Sequence, residues 1–126
     1  MKITDKRTKQ RKVGDKGEDL ACGYIKGFGY SVLARNFSCK TGELDIIALK
    51  EDEGLIAFIE VKSRKSVEFG LPCEAVDTRK QQKLKRTAEY FLMTHKEYSE
   101  YQPSMDIVEI LRLDGEIYAR HLKDAF

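Results

Sequence analysis

No stretch of the chain approaches the roughly 18–20 consecutive apolar residues that a membrane-crossing helix needs, so a bilayer-spanning protein is not expected. Residues 1–12 carry no apolar h-region either, so no secretory signal peptide is expected and the expected location is cytoplasmic. Cysteine is scarce. Cys22, Cys39 and Cys73 are odd in number and widely spaced. They fit neither a disulfide framework nor a zinc pattern, so three reduced thiols are expected. The two histidines, His95 and His121, stand apart from each other and from the acids discussed below, and neither is assigned as a catalytic base. The six tyrosines and six phenylalanines form no run that would make a base-stacking platform. Internal repeats, low-complexity tracts and linkers are absent as well.

What is present suits one domain. The chain has 126 residues, and 41% hydrophobic content supplies one core. The net charge of +2 is unevenly spread. Residues 1–12 hold six basic side chains (Lys2, Lys6, Arg7, Lys9, Arg11, Lys12) against Asp5, a local +5 that leaves the remainder at −3. The body is therefore not a basic nucleic-acid binder by composition. Residues 1–12 read as a basic, disordered tail whose cations, Arg11 and Lys12 among them, add nonspecific attraction for phosphate. Residues 13–126 read as the single folded domain.

Periodicity sets the elements. A helix is expected from Gly14 to Phe28, with Leu20, Ala21, Tyr24, Ile25 and Phe28 on its apolar side and Gly27 and Gly29 as its stop. A strand follows over Tyr30–Asn36, then a turn over Ser38–Gly42. Two apolar runs, Glu43–Lys50 and Leu55–Lys62, flank the polar turn Glu51–Gly54 and predict a hairpin. Gly70, Pro72 and Pro103 punctuate the rest. A second helix is expected over Asp77–His95, with Leu84, Ala88, Phe91 and Leu92 inward. Strands Met105–Leu113 and Ile117–Leu122 flank the turn Asp114-Gly115. The order is α-β-β-β-α-β-β.

The first hairpin has testable arithmetic. If Lys50 lies opposite Leu55, Asp45 lies opposite Glu60 and Glu43 opposite Lys62. Opposed residues share a face, and Lys62 shares that of Glu60. Two carboxylates then meet inside runs that are otherwise apolar, which is destabilising as plain structure. A shared proton relieves it. So does a hard divalent cation such as Mg²⁺ or Mn²⁺, with the Val61 carbonyl as a further oxygen ligand. Phosphodiester cleavage uses such parts, the lysine orienting water or offsetting charge in the transition state. The other reading of Asp45, Glu60 and Lys62 is a surface ion-pair ladder. Glu18 reads either as a further member of the site or as a surface glutamate paired with Lys16 or Lys26. Lys80 and Gln81, near the start of the second helix, read either as phosphate contacts or as plain helix surface.

The segments Gly14-Asp-Lys-Gly-Glu18, Gly42-Glu-Leu-Asp45 and Phe58-Ile-Glu-Val-Lys62 resemble the YraN-like family of small bacterial proteins. That family is grouped with the PD-(D/E)XK nuclease superfamily. Further matches are Arg35-Asn36, Phe69-Gly70, Glu74-Ala75-Val76, Met105-Asp-Ile-Val108 and Ala125-Phe126. The resemblance implies an α/β, restriction endonuclease-like core, a central mixed sheet flanked by helices. It implies that Asp45 and Glu60 bind metal, that Lys62 is the superfamily lysine, and that Glu18 is the acid of the first helix. Leu44 stands where the motif's proline would precede Asp45. The implied activity is a Mg²⁺- or Mn²⁺-dependent endonuclease on DNA, such as a branched recombination or repair intermediate, with a homodimer serving two strands. The alternative is a nucleic-acid-binding module that keeps the nuclease fold without catalysis.

Overall fold

The computed structural model describes the backbone of residues 9–64 and 76–126, with side chains from Lys16 onward in those ranges. Its elements are α1 (Lys9–Lys26), β1 (Ser31–Cys39), β2 (Gly42–Lys50), β3 (Leu55–Arg64), α2 (Thr78–Thr94), β4 (Gln102–Leu113) and β5 (Glu116–Leu122). The order is the expected one, a mixed α/β fold. The five strands form one mixed sheet in sequence order. All neighbours are antiparallel except β3 and β4, which run parallel with α2 in the crossover between them. A parallel pair needs a long connection, and a helix on one face supplies it. No helix among the described residues is long and apolar enough to cross a membrane.

Near-continuous apolar runs in β2, β3 and β4 make sense because both faces of the sheet are covered. Ile47, Leu49, Ile56, Phe58 and Ile107 join Leu84, Ala88 and Phe91 of α2 in one core. Ile46, Ala48, Ala57, Ile59 and Val108 join Ala21, Cys22 and Ile25 of α1 in the other. Burying each isoleucine, leucine, valine or phenylalanine among them stabilises the fold by roughly 1.5–3 kcal/mol.

The helix ends follow local chemistry. α1 stops at Lys26, where Gly29 takes a left-handed φ of 89° and the Tyr30 N–H donates back to the Ile25 carbonyl at 3.2 Å. This is a glycine-terminated stop. Phe28 therefore lies beyond the helix and is exposed, not on its apolar side, with its ring against Tyr24 at 5.1 Å. At the other end α1 begins at Lys9, ahead of the expected Gly14, so Lys9–Lys12 are helical. The rest of the expected tail, residues 1–8, lies outside the described residues, as do Phe69-Gly70, Pro72, Cys73 and Glu74-Ala75. Asp77 caps α2, its carboxylate accepting from the Lys80 N–H at 2.8 Å. Asp77→Ala is expected to lower stability by about 1 kcal/mol, measurable as a lower urea midpoint at unchanged slope.

Strand limits moved slightly. β1 continues to Cys39, and only Lys40-Thr41 remain between it and β2, so the expected turn is shorter. β4 starts at Gln102, ahead of Met105, because Gln102 N–H donates to the Gly54 carbonyl at 2.7 Å and opens the parallel ladder.

Candidate metal centre

β2 and β3 pair in the expected register. Lys50 faces Leu55, and the ladder runs to Ile46 opposite Ile59. It stops there. β2 continues along β1 to Gly42, whereas β3 continues along β4 to Arg64. The two central strands therefore fork just where Asp45 and Glu60 emerge. The Asp45 carboxylate fills the gap, with Oδ2 accepting the Val61 N–H at 2.7 Å. A side chain thus replaces the next ladder bond and satisfies a backbone donor. The period-two pattern also breaks here, because Leu44 and Ile47 both join the α2-side core. In β1 the residue opposite Asp45 by register is Asn36, with a left-handed φ of 55°. Beyond the fork Glu43 lies opposite Ser38 of β1, so the ladder pairing expected with Lys62 does not form.

Glu60 is almost fully buried. Its Oε2 lies 2.5 Å from Lys80 Nζ and 3.8 Å from Lys62 Nζ. Lys80, on the first turn of α2, belongs to the acid cluster. Gln81 turns back, its Nε2 donating to the Val76 carbonyl at 2.9 Å. Burial and the neighbouring Glu60 carboxyl push Asp45 up to about 8. Burial also works against the Glu60 charge, but the Asp45 hydrogen bond and the two ammonium groups outweigh it and hold its carboxyl below the ordinary range. Burial, with Lys80 nearby, lowers the Lys62 ammonium. Burial opposes the Lys80 charge too, yet contact with Glu60 wins and raises it. The acid pair thus holds one proton near neutral pH.

Glu18 comes to the same end of the sheet. Gly17 is buried where an added Cβ would lie 2.6 Å from Ser63 Oγ, so its missing side chain lets α1 settle on the end of β3. The Glu18 charge contributes to raising Asp45. Its Oε1 lies 3.5 Å from Arg35, which also donates to Asp19 at 2.7 Å. Arg35 of β1 is thus a partner the sequence reading of Glu18 did not supply. Among the described residues no three His, Cys, Asp or Glu side chains converge as a metal-ligand group.

Two buried acids of β4 were missed. Glu109 is clamped by Arg64 and Arg120, each at 2.8 Å. Asp106 bonds Ser104 and accepts from the Asp124 N–H at 3.1 Å. His121 Nε2 lies 2.7 Å from Asp106 Oδ2, so this histidine is not isolated from acids. Charged residues inside the apolar run Met105–Leu113 were the available signal. Counting back from Asp114-Gly115 places Glu109 opposite Arg120, as observed.

The pattern of the uncharacterised protein family UPF0102 matches residues 17–110. The chain belongs to this family. The match spans the fork, α2 and most of β4, and it agrees with the YraN-like resemblance. A UPF0102 protein of Caldanaerobacter subterraneus is 45% identical over 105 residues, covering 83% of this chain and 84% of that protein. UPF0102 proteins of Desulforamulus reducens and Caldicellulosiruptor bescii are 42% and 44% identical over 119 residues, each covering 92% of this chain and 97% and 98% of theirs.

Proposed function

We propose that this UPF0102 protein is a Mg²⁺- or Mn²⁺-dependent endonuclease of the PD-(D/E)XK type, acting on DNA, with branched recombination or repair intermediates as preferred substrates. The observation that carries the reading is the convergence of Asp45, Glu60 and Lys62 at a fork between two central strands. The site suits a hard cation in its chemistry. Two carboxyls share a proton because their paired charge is costly, and a divalent ion answers the same cost. Mg²⁺ keeps several waters, so two carboxylates and the Val61 carbonyl suffice.

A bound cation would polarise a phosphoryl oxygen and acidify a water. Asp45 and Glu60 would hold it, and the Val61 N–H fixes the orientation of Asp45. Lys62, with its lowered ammonium, stands where it can orient the attacking water and offset developing charge. Glu18, tied to Arg35, supplies negative potential from α1. Lys80 and Gln81 at the start of α2, and Arg11 and Lys12 in the first turns of α1, are the proposed phosphate contacts; the side chains of Arg11 and Lys12 lie outside those described.

One observation favours a second reading. Lys80 already neutralises Glu60 at 2.5 Å, as it would in a nucleic-acid-binding module without catalysis. Both readings are decided by incubating wild type and Asp45→Ala with branched and linear DNA and with RNA, in Mg²⁺, Mn²⁺ or chelator. Metal-dependent DNA cleavage lost in the variant is expected. Binding that survives chelator without any cleavage would establish the second reading instead.

A further inference from the structure

β5 is the last strand of the sheet, and its outer edge has no strand partner among the described residues. An unpaired edge is a template for another strand. Native edges are commonly blunted by a bulge, a proline or a run of like charge. β5 contains no proline, and its pairing with β4 is regular from Leu113–Glu116 to Ile107–Leu122. Its acid and its arginine, Glu116 at the start and Arg120 near the middle, are of opposite sign. Ile117 and Tyr118 are exposed.

We infer that β5 pairs antiparallel with β5 of a second copy of this chain, joining two sheets into one of ten strands about a twofold axis at Tyr118. The register follows from the turn. Asp114 and Gly115 both have positive φ, 51° and 77°, which makes the two-residue turn whose flanking pair, Leu113 and Glu116, is hydrogen-bonded. Backbone groups alternate sides along an antiparallel strand. Ile117, Ala119 and His121 therefore direct their N–H and C=O outward. Pairing Ile117 with Ala119 of the second copy uses these groups and is self-complementary about Tyr118.

The side chains agree with that register. It sets Glu116 opposite Arg120 of the other copy, twice by symmetry, with the two Tyr118 rings between these pairs. Opposite charges and paired aromatics are favourable across neighbouring strands. Arg120 is held in position by Glu109 at 2.8 Å, with its side chain 46% exposed on the edge strand. On the other face, Ile117 of the second copy meets Ala119. An apolar groove of about 640 Å³, lined by Leu20, Gly23, Tyr24 and Ala119, opens beside it and accepts the larger side chain. Shifting the register by two residues in the direction of Leu122 sets Glu116 opposite Leu122 and removes the charge match.

A twofold axis through such a sheet is perpendicular to it, so both acid clusters lie on the same face, with the two forks directed oppositely along the strands. In a flat sheet the strand spacing and the offset along the strands put the two Glu60 residues roughly 36 Å apart. That is about one turn of a B-form duplex. This last consequence rests on the nuclease reading, whereas the dimer does not.

The test needs no nucleic acid. Sedimentation of the full chain at micromolar concentrations is expected to show a dimer, and Glu116→Lys, which sets like charges opposite, is expected to weaken it at least tenfold. In the proposed register Tyr118 is its own partner at a close Cα separation, within disulfide range, but Glu116 is not. Tyr118→Cys is therefore expected to cross-link under mild oxidation at least ten times faster than Glu116→Cys, with the wild-type thiols as background. A wild-type chain monomeric at 100 µM would overturn the inference. So would a dimer in which the two cysteine variants cross-link equally fast, or one indifferent to Glu116→Lys.

Discussion

Lys62→Ala is expected to lower the metal-dependent cleavage rate by roughly 100- to 1,000-fold, the usual loss when one preorganised charge is removed from a reacting centre. Lys80→Ala is expected to lower it less than tenfold. The two ammonium groups flank the same carboxylate at 3.8 and 2.5 Å, yet they stand in different places. Lys62 lies on β3, in line with Glu60, and burial lowers its ammonium. Lys80 arrives from α2 and is bound to Glu60 more tightly, so it competes with a cation for Oε2. Its removal should tighten Mn²⁺ binding, read by titration calorimetry, while Lys62→Ala should leave it near the wild-type value. Equal losses of cleavage in the two variants, or tighter Mn²⁺ binding in neither, would remove this division of roles. Both side chains are partly exposed, so both variants should fold.

Asp45→Asn is expected to raise the melting temperature and flatten its dependence on pH. Burial and Glu60 push the Asp45 carboxyl up to about 8, from an ordinary value near 4. Between those values the folded chain keeps a proton that the unfolded chain has released. The stability this proton contributes is complete below about pH 4 and is lost as pH rises through 8. Glu60 has the opposite sign. Its depressed carboxyl contributes stability above its unfolded value and loses it in acid. Wild-type stability should therefore decline from about pH 5 to pH 9. Asparagine keeps an oxygen for the Val61 N–H and carries no charge. Asp45 itself is only partly buried, so the gain at pH 9 is about 2 kcal/mol, well under the full value of the shift. That is roughly 5–10 °C in Tm. Mn²⁺ at a hundred times its Kd should return about 2.7 kcal/mol to the wild type at pH 8 and much less to the variant. A wild-type Tm that rises steadily from pH 5 to 9 would contradict the shared proton.

Local features were readable in advance because short-range physics sets them. The limits of α2 lie within one residue of those its sequence predicts, since Asp77 caps it and its apolar face repeats at helical spacing. The first hairpin register was legible because a short turn between two apolar runs leaves few pairings that keep both cores apolar. The placement of Asp45 beside Glu60 is a consequence of that register. Where α1 begins was harder to read, because a polar, basic first turn carries no periodic signal.

Periodicity and turn chemistry along the chain set the order of elements, the hairpin that brings Asp45, Glu60 and Lys62 to one end of the sheet, and the charges that apolar strands would have to bury. Which groups neutralise them depends on packing between elements far apart in the chain. Lys80 reaches Glu60 because the β3–β4 crossover lays the start of α2 over the fork, and the residues between β3 and α2 carry no spacing rule that predicts it. Arg35 reaches Glu18 because α1 rests on the sheet at Gly17, a contact between elements with no register in sequence. The fork itself is tertiary in origin. β2 follows β1 and β3 follows β4, and a backbone cannot keep both neighbours once they diverge. Asp45 takes the Val61 N–H that the parting strand gives up, and the site exists at the place where the sheet opens.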